Sequence, residues 1–596
     1  MSLVTGFDDL TDLVLIELFS YLSSTDILWT FTNLNHQLTM LITERNFFSN
    51  INLSNSRYDQ FNRIIRYLPL DNILLLSIDS DASPLQLTLW PYLPRLRTLR
   101  IFGAYNYDHL LLFLLLHAAT LNNLIIKPNE RLIPDGSTLK FDYPRGTMLT
   151  LINNFLFIHL PSLRSLDLGM DYYITRWPMT GRIVPLNYLR LSLPNINVLI
   201  RLMSTSPLNE TLRELHIKIG NSLFNGRSRV PIPDLSVKMI NLRRFTLVQT
   251  FFSMLTIEWK IFDMLTSSKI MPVLRHANVS IFININDLNS ISSSSIFNDY
   301  RHVDVNFAFH LINCHDYIKV SQYIPNGNYY HTRETIGATF IVNGWSQRSQ
   351  WITDEDPFIR GREYKHHMWY TLPWSFDELF HEYVPYRWIT KAQVFKISSN
   401  LLTVHQSSLR TLDASGQTLS SSICILPQVV LYDSIETLHL SYSNRYFSID
   451  LSNLRNITLV NSINCLNGLL FSGTIHSIRI LQFLTYPNYK SPNWSTIYHS
   501  LSTLRQLSSL RIFMYDLLTD IDDKNCEIIA KIASLVIDFA FCFRYKFSST
   551  DADVLTPTFK IQAKSIKQIC HYMLLSVDNH PYYSVEDDGC GIFIWF

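Results

Sequence analysis

LRTLRI, residues 96–101, is one copy of a six-residue pattern that recurs along the chain and decides its fold. The first, fourth and sixth residues of the pattern are apolar, and the others vary. The fourth and sixth residues are two apart, so they point to one face of a short strand, while the third and fifth point to the other. One such unit cannot bury its own apolar face, so the copies are expected to stack strand beside strand.

The hexad occurs thirteen times, and spacings of 19 to 26 residues recur among its copies. The copies begin at residues 73, 96, 121, 163, 186, 212, 242, 274, 409, 435, 454, 475 and 507. The segments 108–120 and 195–207 between copies carry apolar residues at helical spacing and predict returning helices. The sequence therefore resembles leucine-rich repeats over about 70–310 and 405–515. This resemblance implies an α/β fold, an irregular solenoid shaped like a horseshoe.

Side chains at the third and fifth hexad positions face away from the apolar core and are expected to line the concave surface of the solenoid. They are mixed in charge and rich in hydrogen-bonding groups, which suits a protein surface better than a phosphate backbone. The alternative is a sheet face that is merely solvated. The residues predicted to bind a protein substrate on this face are Arg100, Asp167, Tyr188, Arg190, Glu214, His216, Arg244, Asp413 and His439.

The second hexad position, which flanks the strand, is arginine in seven copies. A stacked edge of like charge is unusual, and these guanidinium groups are expected to be solvated or hydrogen-bonded to neighbouring carbonyl groups. The seven residues are Arg97, Arg164, Arg213, Arg243, Arg275, Arg410 and Arg455.

The stretch FDDLTDLVLIELFSYLSSTDILWTFTNLNHQLTMLI, residues 7–42, predicts three short helices. The first is expected to begin near Thr11 and run to Leu22, and the third to begin near Leu34. Helices this short cannot form a sufficient core alone, so they need the solenoid or a partner to cover them.

This N-terminal stretch resembles the F-box. Leu10-Thr11 stands at the Leu-Pro position of that family, Tyr21-Leu22 at the Tyr-Leu position and Asp26-Ile27 at the Asp-Leu position. Followed by leucine-rich repeats, it gives the domain order of F-box/leucine-rich-repeat proteins, which are substrate receptors of cullin-RING (SCF-type) ubiquitin ligases. The resemblance implies that a Skp-type adaptor, and through it the cullin, binds Leu10, Leu13, Ile16, Phe19, Leu22, Asp26, Ile27 and Leu28.

Two alternatives remain at this point. The N-terminal helices can serve only as a cap of a protein-binding solenoid, because terminal repeats need capping. The chain can also be an enzyme with its site in the aromatic-rich stretch 311–395, where the hexad is absent. That stretch either contacts a partner or consists of irregular repeats whose aromatic side chains fill the core; the second interpretation is favoured.

These patterns divide the chain into five parts: an F-box-like domain (1–48), a first repeat block (49–310), the aromatic-rich insert (311–395), a second repeat block (396–540) and a C-terminal capping segment (541–596).

The composition limits the function classes. The net charge is +1, which gives no overall reason to bind nucleic acid or a membrane. The seven cysteines are scattered and fit free thiols in the cytoplasm or nucleus. His366-His367 and Cys570-His571 match no metal or nucleophile motif, because adjacent side chains are poorly placed to act together. We therefore expect no cofactor, no metal and no catalytic residue.

Overall fold

The fold is described from a computed structural model of the chain. The residues that it describes are 10–22, 24–31, 34, 38, 40–42, 49–53, 65–66, 68–79, 90–102, 107–127, 159–169, 184–219, 238–249, 259–284, 287–314, 339–342, 346–348, 363–371, 375–376, 378–379, 394–396, 411–414, 437–441, 455–460, 478, 480–485, 493–504, 506–507, 509–515, 523–536, 538–544, 584–587 and 591–595. They fall into two compact units.

The first unit is built on a ladder of parallel strands that pair in chain order. Its strands are β1 (Asn50–Leu53), β2 (Leu75–Asp79), β3 (Thr98–Phe102), β4 (Asn123–Lys127), β5 (Ser165–Asp167), β6 (Tyr188–Leu193), β7 (Glu214–Ile219), β8 (Arg244–Gln249), β9 (His276–Asn284) and β10 (Asp304–Cys314). We call this set the first ladder. Because each hexad supplies one strand, the predicted α/β class and the stacking of the copies are confirmed over this part of the chain.

The register of the first ladder follows the hexad. Thr98, the third residue of its hexad, pairs with Leu75 on one side and Asn123 on the other, and each is a third residue too. The fourth and sixth residues, such as Leu99 and Ile101, are fully buried. Apolar columns therefore run the length of the ladder on one face, and two rows of mostly polar residues run along the other, which we call the open face.

Helices connect several strands. The described helices are α1 (Asp12–Ser20), α2 (Ser24–Phe31), α3 (Tyr107–Leu116), α4 (Ile196–Met203), α5 (Leu208–Thr211), α6 (Trp259–Thr266), α7 (Leu288–Ser292), α8 (Ser295–Asn298), α9 (Trp494–Ser502) and α10 (Asp523–Ala533). The helices predicted at 108–120 and 195–207 are confirmed as α3 and α4. The Asn195 side chain caps α4 by accepting a hydrogen bond from the Val198 amide at 3.1 Å. No helix in the described ranges has both the length and the apolarity to cross a bilayer.

The second unit holds a second parallel ladder. Three described strands lie between the two ladders in the chain: β11 (Thr339–Val342), β12 (Ser346–Arg348) and β13 (Glu363–Thr371). β12 is antiparallel to β13; β12 and most of β13 belong to the first unit, and both strands belong to the sheet of the first ladder. The second ladder comprises β14 (Glu378–Leu379), β15 (Val394–Lys396), β16 (Thr411–Ala414), β17 (Thr437–Ser441), β18 (Asn456–Val460), β19 (Ile480–Thr485), β20 (Ser509–Tyr515) and β21 (Asp538–Arg544). It ends with two antiparallel strands, β23 (Gly591–Trp595) on β21 and β22 (Ser584–Asp587) on β23.

One predicted hexad is wrong by three residues. The copy predicted at 475–480 would place Ser477 in the third position. Instead Ile480 pairs with Asn456 and with Ser509, which are the third residues of their hexads. The repeat is therefore IRILQF, residues 478–483, and its Ile478 and Leu481 are fully buried. The two frames overlap in an apolar stretch, and only strand pairing separates them.

Further strands come from hexads that the sequence analysis missed. The first residue of each of the strands β1, β10 and β21 pairs with the third residue of a neighbouring hexad. This register gives three further hexads, at 48–53, 302–307 and 536–541. Within the predicted insert, β14 and β15 pair in parallel with each other and with β16. The hexads at 48–53, 302–307 and 536–541 begin with Phe, His and Val where leucine was sought. Through β14 and β15, the parallel pairing extends into the stretch 311–395.

A buried histidine ties two neighbouring repeats together. His117, just after α3, is 1% exposed. Its Nδ1 lies 2.8 Å from the Phe113 carbonyl oxygen, and its Nε2 accepts a hydrogen bond from the Leu93 amide at 3.0 Å. A carbonyl oxygen can only accept, so Nδ1 carries the proton and the ring is neutral. Burial lowers the pKa of His117 below its usual value because it disfavours the charged imidazolium, and the hydrogen bond to the Phe113 carbonyl opposes this effect only in part.

Because of His117, we expect the unfolding free energy to decrease as the pH drops below about 6.5. A histidine whose pKa is lowered by folding stabilises the native state fully above the unfolded pKa and loses that contribution as the pH drops through it. One such group changes the unfolding free energy by at most about 1.4 kcal/mol per pH unit. Denaturant titrations of the wild type and of His117→Phe between pH 5 and 7.5 measure the effect. A pH slope that is the same in the two proteins would contradict it.

Candidate functional site

Six of the predicted substrate-binding residues meet on the open face of four adjacent strands. They occupy the third and fifth hexad positions of β5 to β8, and register places them side by side. We call them the open-face cluster: Asp167, Tyr188, Arg190, Glu214, His216 and Arg244. The period-two alternation of the strands is sufficient to bring them to one surface.

Each arginine of the open-face cluster lies beside a carboxylate of the preceding strand. Arg190 Nη1 is 3.9 Å from Asp167 Oδ2, and Arg244 Nη1 is 3.6 Å from Glu214 Oε1. Asp167 also accepts a hydrogen bond from the Gly169 amide at 2.9 Å, which fixes the carboxylate. The positive and negative charges of the cluster are therefore balanced within it.

Two aromatic rings fill the centre of the cluster. The rings of Tyr188 and His216 have centroids 5.2 Å apart, and His216 Nδ1 lies 2.9 Å from Thr246 Oγ1. Burial, with a smaller contribution from the Asp167 carboxylate, raises the pKa of Tyr188 to about 12. Burial and then the charge of Arg190 lower the pKa of His216. At neutral pH both rings are thus uncharged.

This arrangement offers hydrogen bonding and ring contact. The phenol can donate, the imidazole is neutral, and Arg244 keeps part of its donor capacity beyond its carboxylate. No group of three or more His, Cys, Asp or Glu in the described part of the chain could hold a metal ion. The cluster is suited to recognising a polar protein surface, with Tyr and Arg as the residue types that most often dominate such contacts.

The other three predicted residues lie apart from the cluster. Arg100 is exposed on β3, and the β4 residue Ile125 separates it in register from Asp167. Asp413 and His439 face each other in register on β16 and β17 of the second unit. The fifth-position row therefore exists in both ladders.

The open face also holds residues that the sequence analysis did not select. His276 and Asp304 extend the third-position row, with Nδ1 3.3 Å from Oδ2. Asn306 Nδ2 donates to Asn278 Oδ1 at 3.0 Å in the next row. The hexad containing Asp304 begins with His302, which hid it, although the alternation of Val303, Val305 and Phe307 was an available signal.

The residues predicted to bind an adaptor divide into two groups. Phe19, Ile27 and Leu28 are no more than 3% exposed, so other parts of this chain cover them. The Phe19 ring packs against Phe31 of α2 with centroids 5.0 Å apart. Because α2 in turn contacts β1, these side chains join the helices to the start of the first ladder.

The remaining predicted residues are accessible to different degrees. Leu13 is 76% and Leu22 38% exposed, Asp26 is exposed, and Leu10 and Ile16 are half-buried. The apolar residues exposed beside them, which the prediction did not include, are Val14, Tyr21, Leu34 and Met40. We call the six exposed apolar residues Leu13, Val14, Tyr21, Leu22, Leu34 and Met40 the N-terminal apolar set.

The N-terminal helices follow their predicted positions closely. Thr11 is the N-cap residue of α1, with extended backbone angles. The first helix ends at Ser20, two residues before the predicted end. Residues 38 and 40–42 are helical, in the region of the third predicted helix.

Comparison with known proteins adds little to this description. No protein-family model matches the sequence, and no curated protein matches it significantly. Among solved structures, a TLR13–ssRNA13 complex aligns over 75% of this chain and 59% of the other, with 14% identity and a TM-score of 0.24. A complex of Rad7 and Elc1 in yeast aligns over 87% of this chain and 84% of the other, with 12% identity and a TM-score of 0.20. These TM-scores are low, so the strand order and register of the chain itself define its fold.

Proposed function

We propose that this chain is the non-catalytic substrate receptor of a cullin-RING ubiquitin ligase. Its N-terminal helices dock on a Skp-type adaptor, and the open face of the repeats binds a protein substrate. The observation that carries this proposal is that α1 packs on α2 and α2 contacts β1, while the N-terminal apolar set stays exposed. In this role the protein itself carries no catalytic residue and acts in the cytoplasm or nucleus.

The exposed side of the helices supports an interface. An exposed group of large apolar side chains marks a protein-binding surface more often than a solvated one. Val14 and Tyr21 are two helical turns apart, so they lie on the same side of α1 and its C-terminal end. Tyr21 is 79% exposed, and its hydroxyl donates to Glu17 Oε1 at 2.9 Å, which holds the ring along the helix.

The open-face cluster supports substrate binding by the repeats. Its charges are balanced and its rings are neutral, so it offers little attraction to a polyanion and many hydrogen-bonding groups to a protein surface. Recognition of this kind needs no chemistry on the substrate, which fits the role of a receptor.

The double variant Leu13→Asp/Leu22→Asp tests the proposal. We expect the wild-type chain to bind a purified Skp-type adaptor, and the variant to lose at least about tenfold in affinity because two carboxylates would enter an apolar interface. Isothermal titration calorimetry measures the affinity. Leu112→Asp, at a leucine of α3 that is 65% exposed, is the matched control and should bind like the wild type.

Absence of binding by the wild-type chain would overturn the ubiquitin-ligase role. The second candidate function, a protein-binding repeat scaffold whose N-terminal helices serve only as a cap, would then be preferred. The contact of α2 with β1 favours that candidate, because the first strand of the ladder needs cover on its outer side.

A further inference from the structure

Three arginines follow one another on adjacent strands at the start of β7, β8 and β9. Arg243 donates its amide hydrogen to the Arg213 carbonyl oxygen at 2.8 Å, and Arg275 donates to Arg243 at 2.9 Å. Backbone pairing thus holds the three residues in one line, one strand spacing apart, or roughly 5 Å. We call Arg213, Arg243 and Arg275 the arginine row.

The side chains of the arginine row are exposed. Arg164, at the same hexad position on β5, instead donates through Nη1 to the Pro161 and Leu163 carbonyl oxygens at 2.9 and 2.8 Å. Carbonyl hydrogen bonds of this kind, or solvation, are the two states that the sequence predicts for this hexad position. The three residues of the row have no ion pair with any residue that the structure describes.

Two carboxylates near the row are engaged elsewhere. Glu214 lies beside Arg244 and His216, and Asp304 lies beside His276. On β6 and β8 the open face neutralises its arginines by placing an acid on the preceding strand, whereas the row places a second arginine on the neighbouring strand. Like charges on directly opposed strand positions are destabilising. An external anion at this edge would remove that repulsion.

We propose that the arginine row binds an acidic segment of a partner protein. A guanidinium group presents a planar fork that matches a carboxylate, so three in line form a template for Asp or Glu side chains at alternate positions of an extended chain, which point to one side. The row spans roughly 10 Å, the length of three or four residues of an extended chain lying across the strands. A nucleic acid fits less well, because three contacts neutralise about three phosphates and the net charge of the whole chain is only +1.

Fluorescence anisotropy with a short labelled peptide of alternating Glu and Ser tests the proposal. We expect the full chain to bind this peptide at low salt, and the variant Arg213→Gln/Arg243→Gln/Arg275→Gln to bind at least about tenfold more weakly. The matched control is Arg66→Gln/Arg97→Gln/Arg455→Gln, which removes the same charge from exposed arginines outside the row. This control should keep the wild-type affinity.

Three results would overturn the proposal. The first is no binding of the Glu-Ser peptide by the wild-type chain at low salt, and the second is an equal loss in the row and control variants. The third is tighter, row-dependent binding of a single-stranded oligonucleotide of the same charge, which would make the partner a nucleic acid.

Circular dichroism of each variant verifies the fold, which should be unchanged because all six substituted arginines are exposed. The adaptor titration is independent of this experiment, because the row is not part of the N-terminal helices.

Discussion

Arg301→Met is expected to lower the unfolding free energy of the first unit by about 3–5 kcal/mol. The side chain of Arg301 is 3% exposed and forms an ion pair with Asp299. Its Nη1 donates to the Met271 carbonyl oxygen at 2.7 Å and its Nη2 to the Thr266 carbonyl oxygen at 2.8 Å. One guanidinium group therefore joins the end of α6, the turn before β9 and the turn before β10.

Removing these donors leaves a largely buried carboxylate and two carbonyl oxygens without their partner. An unpaired buried charge costs more than the pair contributes when it is intact, which is the physical reason for the large effect. Chemical denaturation with intrinsic tryptophan fluorescence measures it. Arg97→Met removes an exposed arginine from the same ladder and should change the unfolding free energy by less than about 0.5 kcal/mol. Similar effects in the two variants would show that Arg301 does not hold these turns together.

Phe19→Asp is expected to unfold the N-terminal helices, at a cost of at least about 4 kcal/mol. Phe19 is 1% exposed, and its packing against Phe31 joins α1 to α2. A carboxylate at this position would be buried without a cation. Hydrogen exchange followed by mass spectrometry should show loss of protection over 12–31, while β2 to β10 keep theirs.

Leu13→Asp is the matched control for this change, because it places the same carboxylate on the exposed side of α1. It should leave hydrogen exchange of α1 and α2 close to that of the wild type. Equal loss of protection in the two variants would contradict the packing described here. The pair also shows why adaptor binding must be tested at Leu13 and Leu22: a binding loss in Phe19→Asp would report unfolding.

The hexad predicts most of the first ladder because its chemistry is local. The apolar positions of the hexad, such as Leu96, Leu99 and Ile101, are also its buried positions. The spacing of apolar residues is therefore sufficient to assign the strand and its two faces. The pattern fails where another residue replaces leucine, as His302 does in the hexad of β10, or where two frames overlap, as at 475–483. In those places the frame is fixed by hydrogen bonds to the neighbouring strand, which no local pattern contains.

The open-face cluster follows from the same alternation, and its six residues were predicted from hexad position. Their pairing was not, because it depends on which strand lies beside which. Helical periodicity was less informative for the N-terminal helices. Nearly every residue from Val14 to Phe19 is apolar, so the sequence could not separate the buried Phe19 from the exposed Leu13. That difference arises from the contact of α2 with β1 and from the ring packing between α1 and α2.

The register of the ladders has a consequence for how the protein can vary. Third-position residues meet third-position residues even where consecutive hexads are 42 residues apart, as for the copies beginning at 121 and 163. Connecting segments can therefore lengthen or shorten without moving any side chain of the open face relative to its neighbours. A whole repeat could be removed, and the flanking strands would still close with their rows aligned. The length of the connecting segments and the side chains of the open face can thus change independently of each other.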